Sequence, residues 1–106
     1  MSTPFKIVML DKERRLRFGM GAMIEVEKTT GKKLADLGSE MSMEMLAKIF
    51  WIILKQDDEK LTFKDTIRLI DDHLGVNEVL LLITEVMNDA FGKADPNAET
   101  TEQENI

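Results

Sequence analysis

Residues 43–55, MEMLAKIFWIILK, constrain the fold more than any other stretch of the 106-residue chain. IFWIIL alone also suits a buried strand, but the flanking helix formers and the total length favour a helix, with Ser42 placed to cap it. On a helix the apolar side chains of this segment point to almost every side, because successive residues step round the axis by about 100°. Only Glu44 and Lys48 interrupt them, four residues apart, where they can pair on one face. A helix apolar nearly all round is the buried centre of a bundle or is covered by a partner.

The remaining segments read as elements that wrap such a helix. FKIVML (5–10) is rich in strand formers, DKER (11–14) is a polar turn, and RLRFG (15–19) alternates with Leu16 and Phe18 on one side. This predicts a β-hairpin over 5–18, whose apolar face must pack on the rest of the domain because an isolated hairpin is marginal in water. Residues 20–30 place Met20, Met23, Ile24 and Glu27 at helical spacing, and Gly31 suits the left-handed position after a helix. KKLADLGSE (32–40) reads as a short helical turn or an irregular connection held by Leu34 and Leu37, and QDDEK (56–60) as an exposed loop. LTFKDTIRLIDDHLG (61–75) opens with a capping box, Thr62 and Asp65, carries Phe63, Ile67, Ile70 and Leu74 as one stripe, and stops at Gly75. VNEVLLLITEVMNDAFG (76–92) starts at Asn77 as cap, lines one face with Val79, Leu80, Ile83, Val86, Met87, Ala90 and Phe91, and stops at Gly92.

The expected fold class is therefore α+β, mainly α: an N-terminal β-hairpin packed on a bundle of about four helices near 20–30, 43–55, 63–74 and 77–91. One globular domain is expected over 1–93, followed by a disordered acidic tail over 94–106.

Charge narrows the partners. The net charge of −6 is unevenly spread: the last 13 residues hold four acids and no base, residues 1–40 are +2, and residues 41–93 are −4. Such polarity can orient a protein partner or a copy of the chain itself, as in a homo-oligomer. It is a poor footprint for nucleic acid, which asks for a basic face. No run of 18 uncharged apolar residues is present, so no membrane-spanning helix is expected. The chain has no cysteine, which excludes disulfides, thiolate metal sites and thiol catalysis and fits an intracellular location.

The motifs that resemble chemistry fall short of it. Gly19 and Gly21 follow a strand and precede a helix, but a dinucleotide fingerprint needs a third glycine where Ile24 stands and a second parallel strand. They read as a strand-to-helix corner, where glycine tolerates unusual dihedrals and close packing. In DDH (71–73) three consecutive helical residues splay by about 100° each and do not converge on one ion. His73, the only histidine, instead meets the helix dipole in the last turn. QDDEK lacks the ligand spacing of a calcium loop, and KERRLR (12–17) reads as a solvated hairpin tip diluted by Asp11 and Glu13. No catalytic, cofactor or metal residues are expected, and the chain reads as a non-enzyme.

The methionines point to protein contacts. Five of the eight, Met20, Met23, Met41, Met43 and Met45, lie within 26 positions, and methionine recurs on surfaces that accept varied apolar partners. Core filling suits Met20, Met23 and Met45. Met41 and Met43 flank the helix start, and with Phe50 and Trp51 they form the expected partner-binding surface.

The order of features resembles the tail assembly chaperones of long-tailed bacteriophages and related prophages. The resemblance rests on the strand ending at Phe18-Gly19, the following helix with Glu25 or Glu27 and Gly31, and the later helix start at Leu61, Thr62 and Asp65, and it covers residues 5–92. It implies a non-enzymatic protein of the host bacterial cytoplasm that binds the tape measure protein, and by extension meets the tail tube protein, while the tube polymerises. It carries over no catalytic residues. The alternative is a small DNA-binding regulator with a helix-turn-helix in the C-terminal half. That half carries Asp65, Asp71, Asp72, Glu78, Glu85 and Asp89 around Lys64 and Arg68, so phosphate repulsion opposes docking. A gel shift on random-sequence DNA at low salt is expected to show no retarded band; a salt-sensitive shift would favour the regulator.

Overall fold

The computed structural model describes residues 5–39 and 41–94; the expected tail beyond residue 94 lies outside them. The chain runs β1 (Phe5–Met9), β2 (Glu13–Arg17), α1 (Met20–Thr30), a 3-10 turn (Leu34–Ser39), α2 (Met43–Lys55), α3 (Phe63–His73) and α4 (Val76–Ala94). This is the α+β, mainly α arrangement expected, a two-stranded antiparallel hairpin followed by four helices.

The central helix α2 buries Leu46, Ala47, Ile49, Phe50, Ile52, Ile53 and Leu54. Each large side chain among them contributes about 1.5–3 kcal/mol on burial, and no single neighbour can cover all of them. Several neighbours therefore enclose it jointly. Leu16 comes from β2, Phe18 from just after it, Ala22 and Val26 from α1, Leu69 from α3, and Val79, Ile83 and Val86 from α4, with Leu37 of the 3-10 turn beside them. Ser42 caps α2 by accepting a hydrogen bond from the Met45 N–H at 3.1 Å, and Lys48 pairs with Glu44 at 3.2 Å. Thr66 is fully buried on α3 because its hydroxyl donates to the Thr62 carbonyl at 3.1 Å, which leaves its polar atom satisfied.

Several helix faces are rotated from the expected ones. On α1 the buried pair is Ala22 and Val26, while Met20 is 70% exposed and Ile24 is also exposed. Small and β-branched side chains bring α1 close to α2, and the longer ones turn outward; Met20 is thus not core filling, whereas Met23 and Met45 are half-buried against the core. On α3 the capping box forms as expected. Ile70 and Leu74 of the expected stripe pack against the core, but the buried positions are Thr66 and Leu69, and Ile67 is 37% exposed. On α4 the cap is not Asn77. The helix begins at Val76, the Gly75 carbonyl accepts from the Val79 N–H at 3.1 Å, and Glu78 reaches back to accept from the Gly75 N–H at 3.2 Å. Nor does Gly92 end it, since the helix runs on to Ala94; a helical glycine costs only about 1 kcal/mol.

The glycine pair marks the corner without special demands. Gly19 is extended, its carbonyl accepts from the Met23 N–H at 3.0 Å, and a methyl group at Gly21 would meet open space. Gly31 does need its freedom, with φ of 73° at the end of α1 and its N–H donated to the Glu27 carbonyl.

Two stability changes follow. Phe50→Ala is expected to lower unfolding free energy by about 3–5 kcal/mol in urea titration, as for buried aromatic truncations generally. Gly21→Ala is expected to raise it by about 0.5 kcal/mol; a loss instead would show that the corner does require glycine.

Candidate functional site

Three features of the surface stand out. The first is a polar groove of about 350 Å³ between the hairpin turn and α3. At its base Arg14, with its side chain 8% exposed, holds Asp11 through two parallel bonds, Nε to Oδ1 and Nη2 to Oδ2, both 2.9 Å. Its Nη1 donates to Asp58 Oδ2, also at 2.9 Å. Beside it Arg17 reaches Asp57 at 3.2 Å. The basic turn and the acidic loop are therefore not two solvated segments, as their composition suggests, but one ion cluster that ties the hairpin to the α2–α3 connection. The Arg14 guanidinium, chiefly through its hydrogen bonds, holds the carboxyls of Asp11 and Asp58 below their ordinary 3.8, and Asp11 in turn pushes Arg14 up. The groove's buried charge is committed to holding the fold.

Asp72 and His73 line this groove, whereas Asp71 lines a different cavity, so the splay expected of DDH is what α3 displays. Among the described residues no group of three or more His, Asp or Glu side chains is placed to hold a metal ion.

The second feature is an apolar cleft of about 130 Å³ where three helices meet. The first turns of α2 supply Met43, Leu46 and Ala47; the middle and last turn of α3 supply Ile67 and Ile70; the start of α4 supplies Val76 and Val79. The cleft arises because only Leu74 and Gly75 separate α3 from α4, which brings the end of one helix against the start of the next, and because short Ala47 leaves space on α2. Met43, 61% exposed, stands at its mouth with exposed Val76 and Ile67. Asp71 is the one charged lining residue and has no ion pair among the described residues.

The third is the outer face of the hairpin. Phe5, Ile7 and Met9 are all exposed, opposite Arg17, Arg15 and Glu13 in the antiparallel register. The guanidinium of Arg15 lies 5.0 Å from the Phe5 ring centre. The second edge of β1 pairs with no strand among the described residues.

The four expected partner-binding residues do not form one surface. Met43 lines the cleft, and Met41 is half-buried against the core. Phe50 is 0% exposed, so it belongs to the core and is not available to a partner. Trp51 is half-buried on another side of α2: its Nε1 donates to the Leu61 carbonyl at 2.8 Å, Lys55 sits over its ring, and Phe63 packs beside it. Sequence reasoning passed over Ile67, Asp71 and Val76. The signal for them was a surplus: α3 and α4 hold more apolar positions than their inward faces can use.

The Arg14 cluster makes stability depend on acid. Folded Asp11 and Asp58 bind protons less readily than unfolded carboxyls, so their stabilisation is complete above about 4 and is lost as pH falls through their lowered folded values. Urea midpoints between pH 5 and 2 are expected to fall less steeply for Asp11→Asn/Asp58→Asn than for wild type; parallel slopes would show that the cluster does not govern the acid limb.

No protein-family model, no curated protein and no solved structure matches this chain.

Proposed function

We propose that the chain is a non-enzymatic tail assembly chaperone of a long-tailed phage or prophage, which shields apolar helical stretches of the tape measure protein in the host cytoplasm while the tail tube is built. The observation that supports this reading is the apolar cleft at the α2–α3–α4 junction, where Met43, Ile67 and Val76 remain exposed around a cavity. Helix-in-groove recognition uses anchors spaced three and four residues apart against such a surface. A tape measure protein is long, helical and apolar, and offers such anchors repeatedly. The apolar gain is modest at about 25 cal/mol per Å² of a small patch, and association subtracts at least about 4 kcal/mol. That balance suits transient covering better than a permanent complex.

The test is co-expression of the full chain with the tape measure protein of the same phage, reading the soluble fraction of the latter. A severalfold rise is expected with wild type and no rise with Ile67→Glu, whose folding is checked by circular dichroism. Equal solubility with and without the chain would overturn the proposal; equal rescue by wild type and Ile67→Glu would remove the cleft as its site.

A further inference from the structure

We propose that the protein associates head to tail with itself, the outer face of the hairpin of one copy seated on the apolar cleft of the next. The two surfaces are complements. Ile7 and Arg15 are directly opposed across β1 and β2 and so stand side by side on the same face of the hairpin. Ile7 is 55% exposed, and Arg15 is exposed with no ion pair among the described residues. The cleft presents the reciprocal set, an apolar hollow with unpaired Asp71 in its wall. Apolar cavities of about 150 Å³ accept a benzene-sized group, so a hollow of about 130 Å³ has room for one isoleucine side chain. With Ile7 in the hollow, Arg15 comes within reach of Asp71, where an arginine–carboxylate fork adds direction as well as attraction. Phe5 and Met9, about 7 Å to either side of Ile7 on the same face, then cover Met43 and Val76 at the mouth. The larger charge pattern agrees, since residues 1–40 carry +2 and residues 41–93 carry −4.

A single copy cannot satisfy itself in this way. Arg14 and Arg17 fasten the hairpin to Asp58 and Asp57, just past the C-terminal end of α2, while the cleft is built on the first turns of α2. A 13-residue helix is about 20 Å long. The contact therefore joins two different patches, and such contacts generate rings or open chains. Symmetric pairing of two β1 edges would instead cover the hairpin and leave the cleft and Asp71 uncovered. The association goes beyond the chaperone reading but uses the same cleft, so a tape measure helix would have to displace the neighbouring copy; it is tested without any tape measure protein.

The experiment is sedimentation velocity on the full chain over a range of concentrations. Wild type is expected to show a concentration-dependent mass above its 12.1 kDa. Ile7→Glu and Asp71→Arg, both at exposed positions and checked by circular dichroism, are each expected to stay monomeric where wild type has assembled. Mixed in equal amounts they are expected to form a species of twice the monomer mass and nothing longer, because one retains its cleft and the other its hairpin face. The charge-swapped Arg15→Asp/Asp71→Arg chain is expected to recover assembly. A wild type that stays monomeric throughout would overturn the proposal. So would blocked variants that fail to pair when mixed, as would Asp71→Arg assembling like wild type, the pattern of a symmetric β1 dimer.

Discussion

The structure depends on one constraint: apart from Met43 at its start, α2 leaves only the strip of Glu44, Lys48, Trp51 and Lys55 to meet water and must bury the rest. Its buried residues, from Leu46 to Leu54, span about 220° of the helix circumference, and so wide an apolar arc is stable in water only when several elements enclose it. The neighbours are arranged accordingly. Helices α1, α3 and α4 each give it a narrow apolar line, and the hairpin closes the remaining side with Leu16 and Phe18. None of these neighbours is hydrophobic enough to be a core on its own. The hairpin least of all would persist alone, which is why its attachment to the α2–α3 loop through Arg14 matters.

That attachment uses ions where the helices use packing. Arg14 is nearly excluded from water, and a desolvated guanidinium is costly unless its anions are close and well oriented. The bidentate bond to Asp11 and the single bond to Asp58 meet that condition. The hairpin's inner face is thus fixed by Leu16 and Arg14 together, and its outer face is left with Phe5, Ile7 and Met9 in solvent. The cleft at the opposite end of α2 has a related origin: three helix ends meet around short Ala47 and leave a hollow that no described residue fills. Both surfaces are by-products of enclosing one helix with short elements, and both leave large apolar side chains exposed.

Much of this was legible in the sequence, for reasons that differ by element. Ser42, Thr62 with Asp65, and Gly31 act through their nearest neighbours in the chain, so the starts of α2 and α3 and the end of α1 could be read directly. Helix faces were harder. On α1 the stripe of large residues was the outer one, because approach to α2 favoured Ala22 and Val26 over Met20 and Ile24. Arg14 looked like part of a solvated basic turn, since its partner Asp58 lies 44 residues away and nothing local announces the pairing. The cleft was half legible. Met43 stood out, but Ile67, Asp71 and Val76 become one site only once the turn at Leu74–Gly75 lets α3 and α4 both pack on α2. Phe50 was misplaced by the same logic in reverse: on an all-apolar helix, composition does not say which side is covered.

The Arg14 cluster also bears on how the molecule opens. If the hairpin lifted from α2 while the 57–61 loop stayed in place, Arg14 would have to part from Asp58, leaving both groups to be rehydrated separately. If the loop moved alone, the same separation would be required. The cheapest sub-global opening is therefore one in which hairpin and loop leave together, with Leu61 and the end of α2 uncovered in the same event. In hydrogen-exchange terms β1, β2 and the α2–α3 connection are expected to share one protection class, and the buried middle of α2 to be among the last amides to exchange. A loop 44 residues along the chain from Arg14 thus shares the dynamics of the N-terminal strands, an assignment that secondary structure alone would not suggest.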